Sequence, residues 1–337
     1  MKWISYLAGL AGLITVIVLG CQQNWTEIGQ ALDHAGWALL WLLPFHAVPL
    51  GLDVMGWRAL LRPSDPERRA RFSFLFWVAA IREACNRLLP VANVGGELIG
   101  IHLVKRRGIS GAATTASVLI EVLLTLLNQY AFTALGIVLL VCTQQATGSA
   151  TTVMIALAAS LPLPIGLVLL LRFGNLFSRI GEIAEKMFGG ESKLAGLLDG
   201  AQLDIEVRKL FDQPLRMAIA GGWQFAGFVV GSFETWLAVK LLGAPITIWD
   251  AVAVEAITQA VRHIIFFVPA GLGVQESGLL IFGHMIGLPA DISMTLSLIK
   301  RLREILFGLP ALLSWQWLER HQKNLPPERV AEAPEGA

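Results

Sequence analysis

Residues 90–110 read PVANVGGELIGIHLVKRRGIS, and residues 269–289 read PAGLGVQESGLLIFGHMIGLP. Four positions recur at a constant offset of 179 residues, as the pairs Pro90 and Pro269, Glu97 and Glu276, Gly108 and Gly287, and Glu121 and Lys300. In both copies a proline and glycines interrupt an apolar run. In membrane proteins, paired interruptions at corresponding positions of two halves point to a translocation site. This repeat is therefore the starting point for both fold and function.

The composition is that of a membrane protein. Of the 337 residues, 55% are hydrophobic and 15% are charged, whereas soluble domains carry about 25% charged residues. The formal net charge of +1 gives no reason to expect a nucleic-acid partner. Cys21, Cys85 and Cys142 show no CxxC spacing, so they indicate neither a disulfide framework nor a zinc site. We expect no metal, no cofactor and no catalytic residue.

The apolar runs predict several membrane crossings. Runs close to the ~20 residues that span hydrocarbon occur at 3–20, 37–57, 111–141, 151–172, 216–242 and 293–318. Two more runs, at 72–89 and 251–268, lead directly into the quoted segments. The apolar pieces after them are too short to cross, which favours a re-entrant hairpin in each copy. We predict an all-α polytopic membrane protein with about six spanning helices and two re-entrant helical hairpins.

The distribution of Lys and Arg predicts the orientation of these crossings. Basic residues concentrate at 58–71, 105–107 and 172–216, while 21–36 and 142–150 contain none. Because Lys and Arg of short loops accumulate on the cytoplasmic side, the first group is cytoplasmic and the second is outside. Both termini are then cytoplasmic. An odd number of crossings separates equivalent points, so the repeat has inverted topology.

The predicted organisation has five parts. They are a first transmembrane helix and outside loop at 1–36, repeat unit 1 at 37–142, a connecting helix and cytoplasmic amphipathic linker at 143–215, repeat unit 2 at 216–320, and a disordered tail at 321–337. Each unit reads as helix, re-entrant hairpin and helix. The N-terminal run also resembles a signal peptide cleaved at Cys21. Segment 173–214 suits an interfacial amphipathic helix or a solvated linker, and the linker is favoured.

Charged groups within the apolar runs predict a polar site. The first arm of each hairpin carries a stripe at helical spacing, namely Arg82, Glu83, Asn86 and Arg87 in one and Glu255, Thr258, Gln259 and Arg262 in the other. The last run contains Lys300, Arg301, Arg303 and Glu304. A charge at a helix centre costs about 2.5–3.5 kcal/mol in a bilayer, so these groups should pair or line a wet cavity. The candidate translocation residues are Arg82, Glu83, Arg87, Glu97, Glu121, Glu255, Arg262, Glu276, Lys300, Arg301, Arg303 and Glu304.

Specific pairings follow from the spacing. Lys300 and Glu304 are four residues apart and are positioned to pair with each other. We also expect Glu121 to lie within pairing distance of the second-half bases, or one water away. The alternative for any single residue is a salt bridge that only orders the hairpin, for example between Glu83 and Arg87.

The hairpin turns have their own signals. Six residues are expected to shape them, namely Pro90, Gly95, Gly96, Pro269, Gly271 and Gly273. A short helix should then begin near Glu97 and near Glu276. These glutamates either cap the free N–H groups of that helix and pair with an arginine, or they take up a proton or ion during transport. The first role is favoured on geometry.

The motifs NRLLPVANVGGE at 86–97, VPAGLGVQE at 268–276 and KRLRE at 300–304 resemble the lysylphosphatidylglycerol synthase transmembrane-region family. The resemblance covers residues 1–320, and the first motif is most similar to a stand-alone branch associated with hopanoid biosynthesis. It implies a bacterial inner-membrane protein that translocates lipid. It also places Arg87, Glu97, Glu276, Arg301 and Arg303 in the family's motif neighbourhoods. The synthase domain of the longer family members is not expected here.

The leading hypothesis is therefore a multi-pass lipid transporter or flippase whose partners are membrane lipids. It would move a lipid head group, linked to hopanoid or anionic phospholipid metabolism, through a polar cavity at the midplane. One alternative is a membrane phosphatase acting on polyisoprenyl pyrophosphate. Another is a non-transporting scaffold whose partners are lipid-biosynthesis enzymes.

Overall fold

A computed structural model describes most of the chain. It covers residues 25–89, 95–144, 161–179, 200–265 and 271–323, with isolated positions at 18, 19, 21, 155, 158 and 268. The predicted first transmembrane run at 3–20, the prolines Pro90 and Pro269, and residues 324–337 of the predicted tail lie outside this description, apart from the isolated positions.

The described residues form eleven α-helices and no strand, as expected for an all-α protein. The helices are α1 Trp25–Ala35, α2 Leu42–Leu61, α3 Phe72–Leu88, α4 Gly95–Lys105, α5 Gly111–Gln144, α6 Pro162–Phe173, α7 Gly200–Phe211, α8 Pro214–Leu241, α9 Ile248–Ile264, α10 Val274–Met285 and α11 Ala290–Lys323. Short 3₁₀ segments, Gly36–Trp41 and Arg62–Ser64, lie before and after α2.

Among the residues that the structure describes, two helical stretches are long and apolar enough to cross a membrane, judged by length and composition alone. They are Trp25–Ser64 and Gly111–Cys142. Helices α8 and α11 are also long, at 28 and 34 residues. Their hydropathy is lower because both carry charged residues well inside the helix, such as Glu234 and Arg301.

The helix boundaries repeat with the offset found in the sequence. Helices α5 and α11 both contain 34 residues, and both ends of α11 lie 179 positions after those of α5. Helix α4 begins at Gly95 and α10 at Val274, again 179 positions apart. Gly108 and Gly287, with φ angles of +79° and +81°, lie just before α5 and α11.

Helices α2 and α8 pack antiparallel against each other. A Cβ atom on Gly231 of α8 would lie 3.8 Å from the Cβ of Pro49, whereas a Cβ on Gly56 of α2 would lie 2.9 Å from the carbonyl oxygen of Ala220. Later residues of α8 thus contact earlier residues of α2. The small glycine side chains allow the two backbones to approach closely.

Helix α5 packs against α9, and helix α11 packs against α3. On α5, a Cβ at Gly136 would lie 2.6 Å from the Cβ of Ala256 in α9. On α11, Ser314 accepts a hydrogen bond of 2.8 Å from the indole N–H of Trp77 in α3. Charged residues of α3 and α9 therefore contact charged residues of α5 and α11.

Two segments differ from their predictions. Residues 25–35, expected in an outside loop, form helix α1, whose Ile28 and Ala35 are buried. Residues 200–211, for which a solvated linker was favoured, form α7. Its Leu203, Val207 and Leu210 are buried in a hydrophobic cluster with α5 residues. In residues 200–211 the helical spacing of the apolar residues predicts the structure better than the overall polarity does. A helix with one apolar face is stabilised when that face packs against another helix.

Candidate functional site

A polar cavity of about 280 Å³ lies where the helices of the two halves meet. Ten of the twelve predicted side chains line it, namely Arg82, Glu83, Arg87, Glu97, Glu121, Glu255, Arg262, Lys300, Arg303 and Glu304. The other two, Glu276 and Arg301, do not line the cavity and are ion-paired with each other. The structure thus brings together side chains that are up to 222 positions apart in the sequence.

In the first half, Arg82 is held between two carboxylates. Its guanidinium pairs with Glu97 of α4 and with Glu121 of α5, the latter at 2.9 Å between Nη1 and Oε2. It also stacks on the ring of Trp57, 4.5 Å from the ring centre. These contacts tie α3, α4 and α5 together around one cation.

Asn86 and Gly96 set how closely the arms of the first hairpin approach. The Asn86 side chain accepts a 2.9 Å hydrogen bond from the Gly96 N–H and donates one of 3.3 Å to Glu97. A Cβ on Gly96 would lie only 2.3 Å from the carbonyl oxygen of Arg82. Gly95 and Gly96 form the start of α4, and the turn before them lies outside the described residues. Gly96 is therefore needed for close packing of the two arms.

In the second half, Glu276 closes the tip of the hairpin. Its Oε2 accepts a 2.8 Å hydrogen bond from the N–H of Gly273, and its Oε1 accepts one of 3.0 Å from Nε of Arg301. Gly271 and Gly273 have φ angles of +59° and +79°, a backbone region that favours glycine. Arg301 also donates a 3.0 Å hydrogen bond to the Gly271 carbonyl. Glu276 thus both caps the start of α10 and pairs with an arginine.

Glu304 of α11 is the common acceptor of three arginines. Its carboxylate lies 3.2 Å from Nη1 of Arg301, 3.4 Å from Nη2 of Arg262 and 3.9 Å from Nε of Arg87. Arg262 also donates a 2.6 Å hydrogen bond to Gln275 at the start of α10. Through Glu304, hairpin arms from both halves contact the same helix.

A second chain of contacts crosses between the halves through His46. Nε2 of His46 lies 3.0 Å from Glu83, and Nδ1 lies 3.3 Å from Glu234. Arg303 pairs with the same Glu234 carboxylate at 2.8 Å. The chain therefore links α3, α2, α8 and α11.

Lys300 and Glu304 do not pair with each other, which corrects one prediction. Lys300 instead pairs with Glu255 of α9 at 2.5 Å, and Glu255 also accepts hydrogen bonds from Thr235 and Gln259. An i, i+4 pair with the base first is the weaker orientation on a helix. Buried partners on neighbouring helices replace it.

Glu121 pairs directly with Arg82 of α3, and no ion pair of the described residues joins it to Lys300, Arg301 or Arg303. Glu121 and Lys300 line the same cavity, and a contact between them through one water stays a prediction. The suggested pair between Glu83 and Arg87 is replaced by contacts with His46 and Glu304. Helical spacing gave the correct face but not the correct partners, because the partners come from other helices.

Three further ionisable residues line the cavity wall and are not among the predicted translocation residues, namely His46, Asp53 and Glu234. Asp53 lies against a small residue, since a Cβ on Gly227 would be 2.7 Å from its Oδ1. Asp53 and Glu234 lie within the apolar runs 37–57 and 216–242. The rule applied to the hairpins, that a charge inside an apolar run marks a site, would have found both.

The wall carries charges of both signs. Its described part contains seven carboxylates and five basic side chains, most of them ion-paired. Arg87 is different, because its side chain is 34% exposed and its one ion-pair contact in the described residues is that of 3.9 Å with Glu304. No group of three or more His, Cys, Asp or Glu in the described ranges is placed to hold a metal. The cavity is suited to bind a polar group by exchanging ion pairs.

Comparison with known families gives one match. A family model described as Lysylphosphatidylglycerol synthase TM region matches residues 6–311. No curated protein and no solved structure gave a significant match.

Proposed function

The chain belongs to the lysylphosphatidylglycerol synthase TM region family, and on this premise we propose that it moves a lipid head group across the bacterial inner membrane. The family is a membrane family of flippase-like character, which makes the chain a membrane protein. The observation that carries the proposal is the ionised cavity between the two halves, because intramembrane charges of this kind mark substrate paths. The head group would occupy the cavity while the hydrocarbon part stays in the bilayer.

We further propose that the two halves are an inverted-topology repeat. Equal helix boundaries at an offset of 179 residues support it. So does the antiparallel packing of α2 and α8, since equivalent helices run in opposite directions when one half is inverted. In this arrangement α3 with α4, and α9 with α10, are re-entrant hairpins that enter from opposite faces. Helices α4 and α10 have 11 and 12 residues, which is short of a full crossing.

The substrate class in this proposal is an anionic phospholipid or a lipid of hopanoid metabolism. The position of Arg87 supports the proposal that the head group is anionic. Arg87 is a partly exposed base of the cavity wall and lacks a close carboxylate among the described residues. A phosphate oxygen is a better acceptor for this guanidinium than a carboxylate at 3.9 Å. The paired bases deeper in the wall would exchange partners as the head group passes.

A steric block of the cavity tests the transport proposal. Gly231 of α8 lines the cavity, and a Cβ there would meet only the Cβ of Pro49 at 3.8 Å. The Gly231→Leu variant should therefore fold and fill part of the cavity. We expect fluorescent-lipid scrambling in proteoliposomes to fall by about tenfold or more, equivalent to about 1.4 kcal/mol on the barrier.

The matched control is Gly222→Leu on the same helix, where a Cβ would have no neighbour within 4 Å and which does not line the cavity. It should scramble as fast as the unmodified chain. Equal rates for the two variants, or no scrambling above empty liposomes for any lipid class, would refute transport through this cavity. Phosphate release from an isoprenoid pyrophosphate would instead favour the phosphatase alternative. Unchanged partner recruitment without scrambling would favour the scaffold.

A further inference from the structure

A second groove lies between the end of α2 and the start of α8, with lining residues different from those of the charged cavity. Its volume is about 550 Å³, and the residues that line it are Met55, Arg58, Ala59, Arg62, Gln213, Pro214, Leu215, Arg216, Ile219 and Trp223. None of them lines the central cavity. We call this site the α2–α8 groove.

The charged side chains of the α2–α8 groove are all basic. Arg58 and Arg62 are four residues apart on one face, and Arg216 comes from the first turn of α8. Arg58 is half-buried, yet within the described residues neither it nor Arg62 has a carboxylate partner. Arg216 donates hydrogen bonds to Gln213 and to the carbonyl of Ala59, which fixes its position. Three further N–H donors remain on its guanidinium.

An apolar stripe continues from these arginines along α8. Leu215, Ile219 and Trp223 follow one another at intervals of four residues, so they share one face of the helix. Their exposed fractions are 74%, 48% and 37%. A basic end joined to an exposed apolar stripe matches a molecule with an anionic head and a hydrocarbon chain.

We propose that the α2–α8 groove binds an anionic phospholipid from the surrounding leaflet. The phosphate is held by Arg58, Arg62 and Arg216, because two or more guanidinium groups can bind its oxygens in parallel. One acyl chain lies over Leu215, Ile219 and Trp223. The start of α8 adds the positive end of its helix dipole, and Gln213 at its N-cap makes no side-chain cap there.

This site is separate from the proposed transport path. In the central cavity the bases are mostly ion-paired with carboxylates, whereas the wall of the groove contains no carboxylate. A lipid bound here bridges α2 and α8, the equivalent helices of the two halves. It would therefore act as a resident lipid at the contact between the halves rather than as cargo, and its presence does not depend on transport.

Native mass spectrometry of the full chain in nanodiscs that contain phosphatidylglycerol and phosphatidylethanolamine tests the proposal. We expect the unmodified chain to retain phosphatidylglycerol in preference to phosphatidylethanolamine. The Arg58→Gln/Arg62→Gln variant should retain it about thirtyfold less, because each base near an anionic lipid contributes roughly a fivefold gain in affinity. The matched control Arg68→Gln/Arg71→Gln removes two exposed arginines outside the groove and should retain the lipid like the unmodified chain.

Two additional measurements keep the test decisive. A photoactivatable phosphatidylglycerol on the unmodified chain should label peptides that contain 55–62 and 214–223, which requires no variant to fold. Inorganic phosphate at millimolar concentration should not displace the bound lipid. Equal retention by the groove variant, absence of labelling in both peptides, or complete displacement by phosphate would each overturn the proposal. Scrambling rates are not part of the readout, so failure here leaves the transport proposal standing.

Discussion

Glu97 and Glu276 occupy the same position in the two halves of the chain, but their surroundings differ. The Glu97 side chain is 20% exposed and lines the cavity. The Glu276 side chain is 3% exposed, does not line the cavity, caps its own helix and pairs with Arg301. The first hairpin therefore presents a carboxylate to the cavity, while the second uses the equivalent carboxylate to hold its own tip.

The same contrast extends to other equivalent pairs. Glu83 and Arg262 are 179 positions apart and carry opposite charges, as do Glu121 and Lys300. The helix boundaries repeat while these charges reverse. The equivalent helices thus carry opposite charges, which makes the two segments chemically different. Four substitutions test how far that difference extends.

The largest effect should come from Glu276→Gln. Among the described residues, the change leaves Arg301 with Glu304, a carboxylate that Arg262 and Arg87 also contact, and it weakens the cap on Gly273. Removal of one partner of a buried ion pair costs about 3–5 kcal/mol. We expect the free energy of unfolding in detergent to fall by this amount, measured by denaturant titration.

The comparison variant for this test is Glu97→Gln, which should lose much less stability. Equal losses for the two variants would show that both glutamates have the same structural role. That result would show that the difference in burial between Glu97 and Glu276 has no effect on folding.

Lys300→Gln should have the next largest effect, a loss of about 2–3 kcal/mol in unfolding free energy. The Glu255 carboxylate would keep its hydrogen bonds from Thr235 and Gln259 but would lose its cation. The double variant Lys300→Gln/Glu255→Gln should recover at least half of the loss, because no buried charge is then unpaired. A double-mutant cycle with no coupling would contradict the pair.

The sequence predicted the elements better than the contacts. Repeated glycines and prolines predicted the positions of short helices such as α4 and α10, and helical spacing predicted the charged face of α3 that carries Arg82. Partners such as Glu255 for Lys300 were not predictable, because spacing along one helix carries no information about neighbouring helices. The sequence places residues 25–35 in an outside loop and does not predict helix α1, because their apolar positions gain a packing partner only in the folded chain.

Glu97→Gln should change stability by about 1 kcal/mol, because Arg82 keeps its 2.9 Å pair with Glu121. Its effect on scrambling should be larger than its effect on folding. Loss of a carboxylate from the cavity wall alters the ion pairs that a head group must exchange, and we expect a change in scrambling rate of about tenfold. A normal scrambling rate in Glu97→Gln would show that the Glu97 carboxylate has no role in transport.

Arg87→Gln should have the smallest effect on folding, within about 0.5 kcal/mol, since among the described residues the one ion pair of this partly exposed side chain is a 3.9 Å contact with Glu304. Its effect should instead appear in lipid preference. Without the guanidinium, scrambling of an anionic lipid should slow by about tenfold relative to a zwitterionic one. Arg68→Gln, an exposed arginine outside the cavity, should leave the ratio unchanged. A loss of stability comparable to that of Glu276→Gln would place Arg87 among the structural ion pairs. The difference between the two halves would then lie in Glu97 alone.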